Sequence, residues 1–191
     1  FGQLIFKETL QNQPFGIDSI NQFLQNHDYS EKFSNVFGNC AVANYLNNIS
    51  LDMRYGYRRD ELKNIHVTPE QFFLSYPNVS VLNYSLKSWQ PAWYKYNFSS
   101  LPSDKAIKVN YNSDYAFKVL YADNLGRVGV LNNPGYITNP GGLSYVVLMP
   151  INEIQTSDFG SAEIPREISL NINYVDNALA KPVADGSLIK R

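Results

Sequence analysis

Hydrophobic and polar positions along this chain change their period near Asn78. Before it, apolar residues recur at helical spacing. Ile17, Ile20, Phe23 and Leu24 form one such set, which predicts a short amphipathic helix capped by Asp18 and ending near His27. A second helix is expected from Ser30, with Gly38 able to terminate it. Asn39 can then cap another helix, beginning at Cys40 and carrying Val42, Tyr45, Leu46 and Ile49 as an apolar stripe. Thr68-Pro69-Glu70-Gln71 combines a capping hydroxyl, a first-turn proline and a glutamine three residues after the cap. A further helix is therefore expected through Phe72, Phe73 and Leu74, until Pro77 stops it.

After Asn78 the period drops from about 3.6 to about 2. Tyr94-Lys95-Tyr96-Asn97-Phe98 and Ile107-Lys108-Val109-Asn110-Tyr111 alternate strictly and predict half-buried strands. Further strands are expected from Tyr115 to Tyr121, Arg127 to Leu131, Ser144 to Met149 and Ile168 to Tyr174. Turn clusters such as Asn132-Asn133-Pro134-Gly135 and Asn139-Pro140-Gly141-Gly142 separate them. Short strands at regular intervals imply an antiparallel sheet, a sandwich or an open barrel. The expected fold is α+β: one domain over residues 1–177, helical over about 17–76 and strand-rich over about 79–175. From Ala178 the periodicity stops and Pro182 and Gly186 appear, so residues 178–191 read as an extended arm or linker.

A chain of 191 residues supports one core, burying roughly 70% of its unfolded surface. Hydrophobic residues make up 44%, against 17% charged, and the net charge is −1. The first figure excludes disorder; the last argues against nucleic acid as a partner. Polarity comes instead from 22 Asn and 14 Tyr, a surface of amides, hydroxyls and aromatic rings suited to contact with other molecules. No run approaches the roughly 20 apolar residues of a membrane span. The chain begins with Phe1 and ends with Lys190 and Arg191, which suggests a mature, processed or trimmed segment of a longer product. Four Asn-x-Ser sequons, at Asn48, Asn78, Asn83 and Asn97, are attributed to the abundance of Asn and Ser.

Candidate chemistry centres on Cys40. A thiol in the first turn of a helix has its thiolate favoured by the helix dipole and by free backbone amides. Phe37-Gly38-Asn39-Cys40-Ala41-Val42-Ala43 resembles, over about ten residues, the Gly-x-Cys helix start of papain-like and transglutaminase-like hydrolases. That resemblance implies a nucleophilic cysteine with a histidine from a downstream strand. This chain has only His27 and His66, neither in its strand-rich half; His66, just ahead of the Thr68 cap, can approach Cys40 if the helices fold back on each other and is the candidate base. The bland alternative is that Cys40 is a small core residue and His66 a half-buried histidine near a helix start. Neither the separation of the two histidines nor the scatter of acids suggests a metal site, and no glycine-rich loop fits phosphate, so no cofactor is expected.

Arg54, Arg58, Arg59 and Lys63 lie among Asp52, Asp60 and Glu61, which reads as a self-paired solvated face. Trp89, Trp93, Tyr94, Tyr96 and Phe98 crowd around Pro91. Alternation would send Tyr94, Tyr96 and Phe98 into the core, whereas Trp89, Trp93 and, on the contact reading, Tyr94 are the candidate binding residues. Three functions follow. The first is a non-enzymatic structural or recognition module of a surface, secreted or virion assembly, extracellular or on a cell or particle surface, with a protein partner or self-assembly. The second is a cysteine hydrolase or transferase using Cys40, and the third a carbohydrate-binding module using the exposed tryptophans.

Overall fold

The computed structural model describes Glu8, residues 16–153 and residues 164–180. Of the expected C-terminal arm, Ala178 and Leu179 fall in a 3-10 turn at Asn177–Leu179, Ala180 is buried, and residues 181–191 lie outside the described residues. The chain divides into two compact units, Phe1–Cys40 and Ala41–Arg191.

In the first unit, α1 spans Ile17–Asn26 and buries Ser19, Phe23 and Leu24, the face set by the helical spacing of its apolar residues. Gly16, at φ 70°, takes the capping position, and Asp18 lies in the first turn rather than at the cap. There its carboxylate still meets the positive end of the helix dipole. After the helix, the Tyr29 amide donates to the Leu24 carbonyl at 2.9 Å, and the Phe33 amide donates to Asn21 Oδ1 at 2.8 Å.

The second helix, α2, runs unbroken over Phe33–Leu46. It overrides two expectations, that Gly38 ends a helix and that another begins at Cys40. Gly38 and Asn39 are buried within it. Gly38, Asn39, Ala41, Val42 and Ala43 are buried along it, and that burial outweighs the cost of a mid-helix glycine, about 1 kcal/mol relative to alanine.

The helix expected from Thr68 is a strand, β1, at Glu70–Leu74. Five residues before Tyr76-Pro77 are too few for a helix to repay its nucleation. Phe72 and Leu74 pack on the core while Phe73, between them, is 80% exposed, the two-residue period of a strand. The remaining strands are β2 at Ser80–Leu86, β3 at Tyr94–Phe98, β4 at Lys105–Asn112, β5 at Phe117–Asp123, β6 at Val128–Leu131, β7 at Gly135–Ile137, β8 at Tyr145–Asn152 and β9 at Arg166–Asp176. All six strands expected from alternation are present. The sequence reading missed β1, β2 and β7.

The strands form a five-stranded sheet, β1-β3-β8-β5-β6, and a four-stranded sheet, β2-β9-β4-β7. Pairing is antiparallel except between β1 and β3, which run parallel with Phe72 opposite Tyr96. Of the three architectures expected, the sandwich is the one formed. One buried cluster joins Tyr94, Tyr96, Val119, Tyr121, Val146 and Leu148 of the larger sheet to Ile107, Val109, Ile137, Ile168, Leu170 and Ile172 of the smaller. The α+β class holds: among the described residues, the helices at Ile17–Asn26 and Phe33–Leu46 precede two mainly antiparallel sheets.

The larger sheet is apolar on both faces. Leu120, Ala122, Val147, Met149 and Ile151 alternate with the core residues of β5 and β8 and are also buried. Part of α2 lies against that sheet. The Trp93 indole donates to the Ala41 carbonyl at 3.0 Å, and burial, with Tyr145 alongside, raises the pKa of the Tyr45 hydroxyl. Ala41, Val42 and Ala43 are buried.

Candidate functional site

The candidate nucleophile and base lie in different settings, Cys40 within helix α2 and His66 in the segment before β1. Cys40 is the eighth residue of α2, away from the free amides of the first turn. Although it is exposed, the protein packed around it raises the thiol pKa, which is opposite to what activates a nucleophile. His66 is exposed in the segment before β1. Among the described residues, no three His, Cys, Asp or Glu side chains gather as metal ligands would.

The aromatic segment is buried or half-buried. Tyr94 is 7% exposed in the sandwich interior and its ring stacks on Tyr84 at 3.7 Å. Trp93 is half-buried and held through its indole by Ala41, while Trp89 is half-buried at φ 51°, its amide donating to the Asn152 carbonyl at 2.8 Å. The basic cluster is largely self-paired. Arg54 Nη2 lies 2.6 Å from Asp52 Oδ2, Lys63 pairs with Asp60, and Arg58 Nη2 approaches Met53 Sδ at 2.9 Å.

The loop after α2 has a different character. Asn47, at φ 39°, accepts the Tyr57 amide at 3.0 Å on its Oδ1. Its Nδ2 faces the carbonyls of Leu62, Lys63 and Ile65 at 3.0, 2.8 and 3.0 Å. A single carboxamide thereby anchors two stretches of chain that have no sheet to join. Inside the loop, the Asn48 amide donates to the Tyr55 carbonyl at 2.7 Å, the Ser50 amide to Asn48 Oδ1 at 3.0 Å and the Arg54 amide to Asp52 Oδ1 at 2.8 Å. Tyr55 is buried beneath it, and the Tyr57 hydroxyl donates to Asn44 Oδ1 on α2.

This fixed backbone presents apolar side chains to water. Ile49, Leu51 and Met53 are 43%, 44% and 55% exposed. The Cδ1 atom of Leu51 lies beside the β5–β6 hairpin, 3.8 Å from where a Cβ on Gly126 would be, and Leu125 on that hairpin is exposed too. Scattered exposed apolar residues are ordinary, but Ile49, Leu51 and Met53 stand at alternate positions of one tightly bonded loop. Preorganised backbone lowers the ordering cost of binding. Exposed Arg58 and Arg59 stand next in the chain.

Sequence reasoning assigned Ile49 to a helix stripe and passed over Leu51 and Met53. The available signal was a run of apolar residues alternating with Ser50, Asp52 and Arg54, between Asn47-Asn48 and Gly56. Turn-forming ends around such a run mark a loop whose apolar residues have no strand to bury them.

No protein-family model matches the chain, and no curated protein does. Among solved structures, it is similar to Salmonella Typhimurium PliG, a periplasmic inhibitor of g-type lysozyme, at 12% identity and a TM-score of 0.37, over 56% of this chain and 99% of that one. The Yersinia pseudotuberculosis-derived mitogen gives 11% identity and a TM-score of 0.37, over 57% of this chain and 93% of that one. The pre-peptidase C-terminal domain of Bacillus anthracis collagenase gives 9% identity and a TM-score of 0.36, over 56% and 99%. Likeness at this level carries no functional weight.

Proposed function

We propose that this chain is a non-enzymatic recognition module of a surface, secreted or virion assembly, acting through protein–protein contacts made by the loop at residues 48–56. The observation that supports this reading is the exposure of Ile49, Leu51 and Met53 on a backbone held by Asn47 and by the Asn48–Tyr55 hydrogen bond. Apolar anchors inside a polar rim are the usual make-up of a binding hot spot. With Arg58 and Arg59 exposed next to it, the complementary surface is an apolar pocket bordered by carboxylates.

Replacing Leu51 and Met53 by Asp tests the proposal. Wild-type and double-variant protein are used as baits against extracts of the source, with thermal unfolding measured in parallel. The expected outcome is a partner retained by wild type and lost by the variant, at an unchanged melting temperature. Equal retention of every bound protein by both baits would remove the loop from the function.

A further inference from the structure

The outward face of the four-stranded sheet carries an array of amides that the fold does not require. Because Ile107, Val109, Leu170 and Ile172 point into the core, alternation turns Lys108, Asn110, Asn112, Ser169, Asn171 and Asn173 outward. On β2, Asn83 and Ser85 lie outward by the same rule and are exposed. Strand register sets these residues in rows. Asn83 is opposite Ser169, which is opposite Asn112; Asn110 is opposite Asn171; Lys108 is opposite both Asn173 and Tyr136 of β7. Asn173 Nδ2 donates to Asn171 Oδ1 at 2.5 Å, so these two carboxamides share one face.

Asn is among the residues least favoured in strands, whereas Thr, Val and Tyr are preferred there. Five of them on three neighbouring strands, Asn83, Asn110, Asn112, Asn171 and Asn173, set the local preference against the fold. Such local conflicts concentrate where function, not folding, chooses the residue. Each carboxamide has two donor hydrogens and a two-lone-pair acceptor. The array therefore offers donors and acceptors together, at spacings of about 4.8 Å between strands and about 6.8 Å along them. Lys108 and Glu167 balance in charge on this face, which suits a neutral ligand. Val81, exposed and opposite Asn171, is the apolar side chain among these rows, and no aromatic or long aliphatic anchor of the kind a protein partner would need stands beside it there.

We propose that this face binds a neutral polysaccharide chain, its hydroxyl pairs bridged by the carboxamides of Asn83, Asn110, Asn112, Asn171 and Asn173. Tyr136 at the β7 margin supplies an aromatic ring of the kind sugars stack on. This surface is separate from the loop at residues 48–56, and either can operate without the other.

The experiment is depletion of the intact protein from solution by insoluble cellulose, chitin, β-1,3-glucan and starch, compared with the variant carrying Asn110→Thr and Asn171→Thr. Threonine suits an outward strand position, so the variant keeps the sheet and removes two amides. The expected result is saturable binding of wild type to at least one polysaccharide, at least tenfold weaker in the variant, with a melting temperature equal to or above wild type. Should the double variant not fold, Asn83→Thr on edge strand β2 is the second variant, with a loss of about threefold expected by the scale on which a single hydrogen bond counts. Absence of wild-type binding to all four polysaccharides would overturn the proposal. So would undiminished binding by the folded variants, or a clear fall in their melting temperature, which would make the amides structural.

Discussion

The ring of Tyr84 on β2 stacks against that of Tyr94 on β3 at 3.7 Å, with their planes 16° apart, and so ties the smaller sheet to the larger. The Tyr84 hydroxyl also meets that of Tyr96 at 3.0 Å, and Phe72 stacks on Tyr96 at 5.3 Å. Burial raises the pKa of all three tyrosines: Tyr94 is pushed up to about 12, and Tyr84 and Tyr96 are raised as well. An unfolded tyrosine ionises near pH 10, so between that pH and the folded value the native state holds more protons than the unfolded one. Stability is thus fully present below about pH 10 and is lost as pH rises through the window to about 12. Urea midpoints at pH 8, 10 and 11 check this, with the midpoint slightly lower at pH 10 than at pH 8 and clearly lower at pH 11.

The same cluster predicts the effect of Tyr84→Phe. The stack survives, but the Tyr96 hydroxyl, fully buried, loses its partner. A buried hydroxyl left unsatisfied costs about 1–3 kcal/mol. Urea denaturation should show a loss in that range, and the double variant with Tyr96→Phe should recover part of it.

Asp123 closes the β5–β6 hairpin and should be the most sensitive polar position there. Its carboxylate accepts the amides of Leu125 and Arg127 at 2.9 and 3.0 Å and pairs with Arg127 Nε at 2.7 Å. Arg127 in turn donates to the Thr138 hydroxyl at 3.1 Å and carbonyl at 2.7 Å, joining this hairpin to the chain after β7. Arg127→Leu leaves a buried carboxylate without its countercharge, and breaking a buried pair costs about 3–5 kcal/mol. Partial exposure of Arg127 places the expected loss near the lower end, about 3 kcal/mol. Asp123→Asn keeps an acceptor for the two amides and should cost less. The order of the two urea midpoints decides whether the charge or the turn geometry dominates.

Legibility of this fold in the sequence follows how one-sided each element is. β3 and β4 alternate strictly because one of their faces is core and the other is not, and both were readable. β2 has apolar residues on both sides, with Val81 outward and Leu82 inward, which blurs the period. β7 is three residues long and starts on Gly135, inside a cluster with every mark of a turn. β1 follows a capping motif that would start a helix in isolation, but pairing with β3 overrides it. Within α2, Gly38 reads as a stop only while its burial is unknown. The apolar loop was hidden for a related reason: a hydrophobic residue is read as core until the backbone shows that nothing covers it.

Cys40 offers a direct check on whether nucleophilic chemistry remains open. With its pKa raised by burial and no first-turn position to oppose the shift, its thiolate should form at higher pH than that of a free cysteine, near 8.5. Iodoacetamide alkylation of the folded protein, followed by intact mass, should give an apparent pKa above that value and a rate below that of a cysteine peptide at pH 7.5. A faster reaction with a depressed pKa would restore Cys40 as a nucleophile.

Gly56 decides whether the interaction loop can keep its shape. A Cβ there would stand 2.8 Å from the Ile49 amide nitrogen and 2.9 Å from that of Asn48, and both are backbone atoms that cannot rotate away. Gly56→Ala must therefore push the returning chain off residues 48 and 49, lengthening the 2.7 Å bond from the Asn48 amide to the Tyr55 carbonyl. The loop lies outside both sheets, so the damage should stay local, about 1–3 kcal/mol as for other overpacking changes. Hydrogen exchange should show lost protection at the Asn48, Tyr55 and Tyr57 amides, with β5 and β8 protected as before. Protection lost equally across the sandwich would instead make this loop part of the folding core, and its exposed Ile49, Leu51 and Met53 could then no longer be treated as a surface that varies independently of the fold.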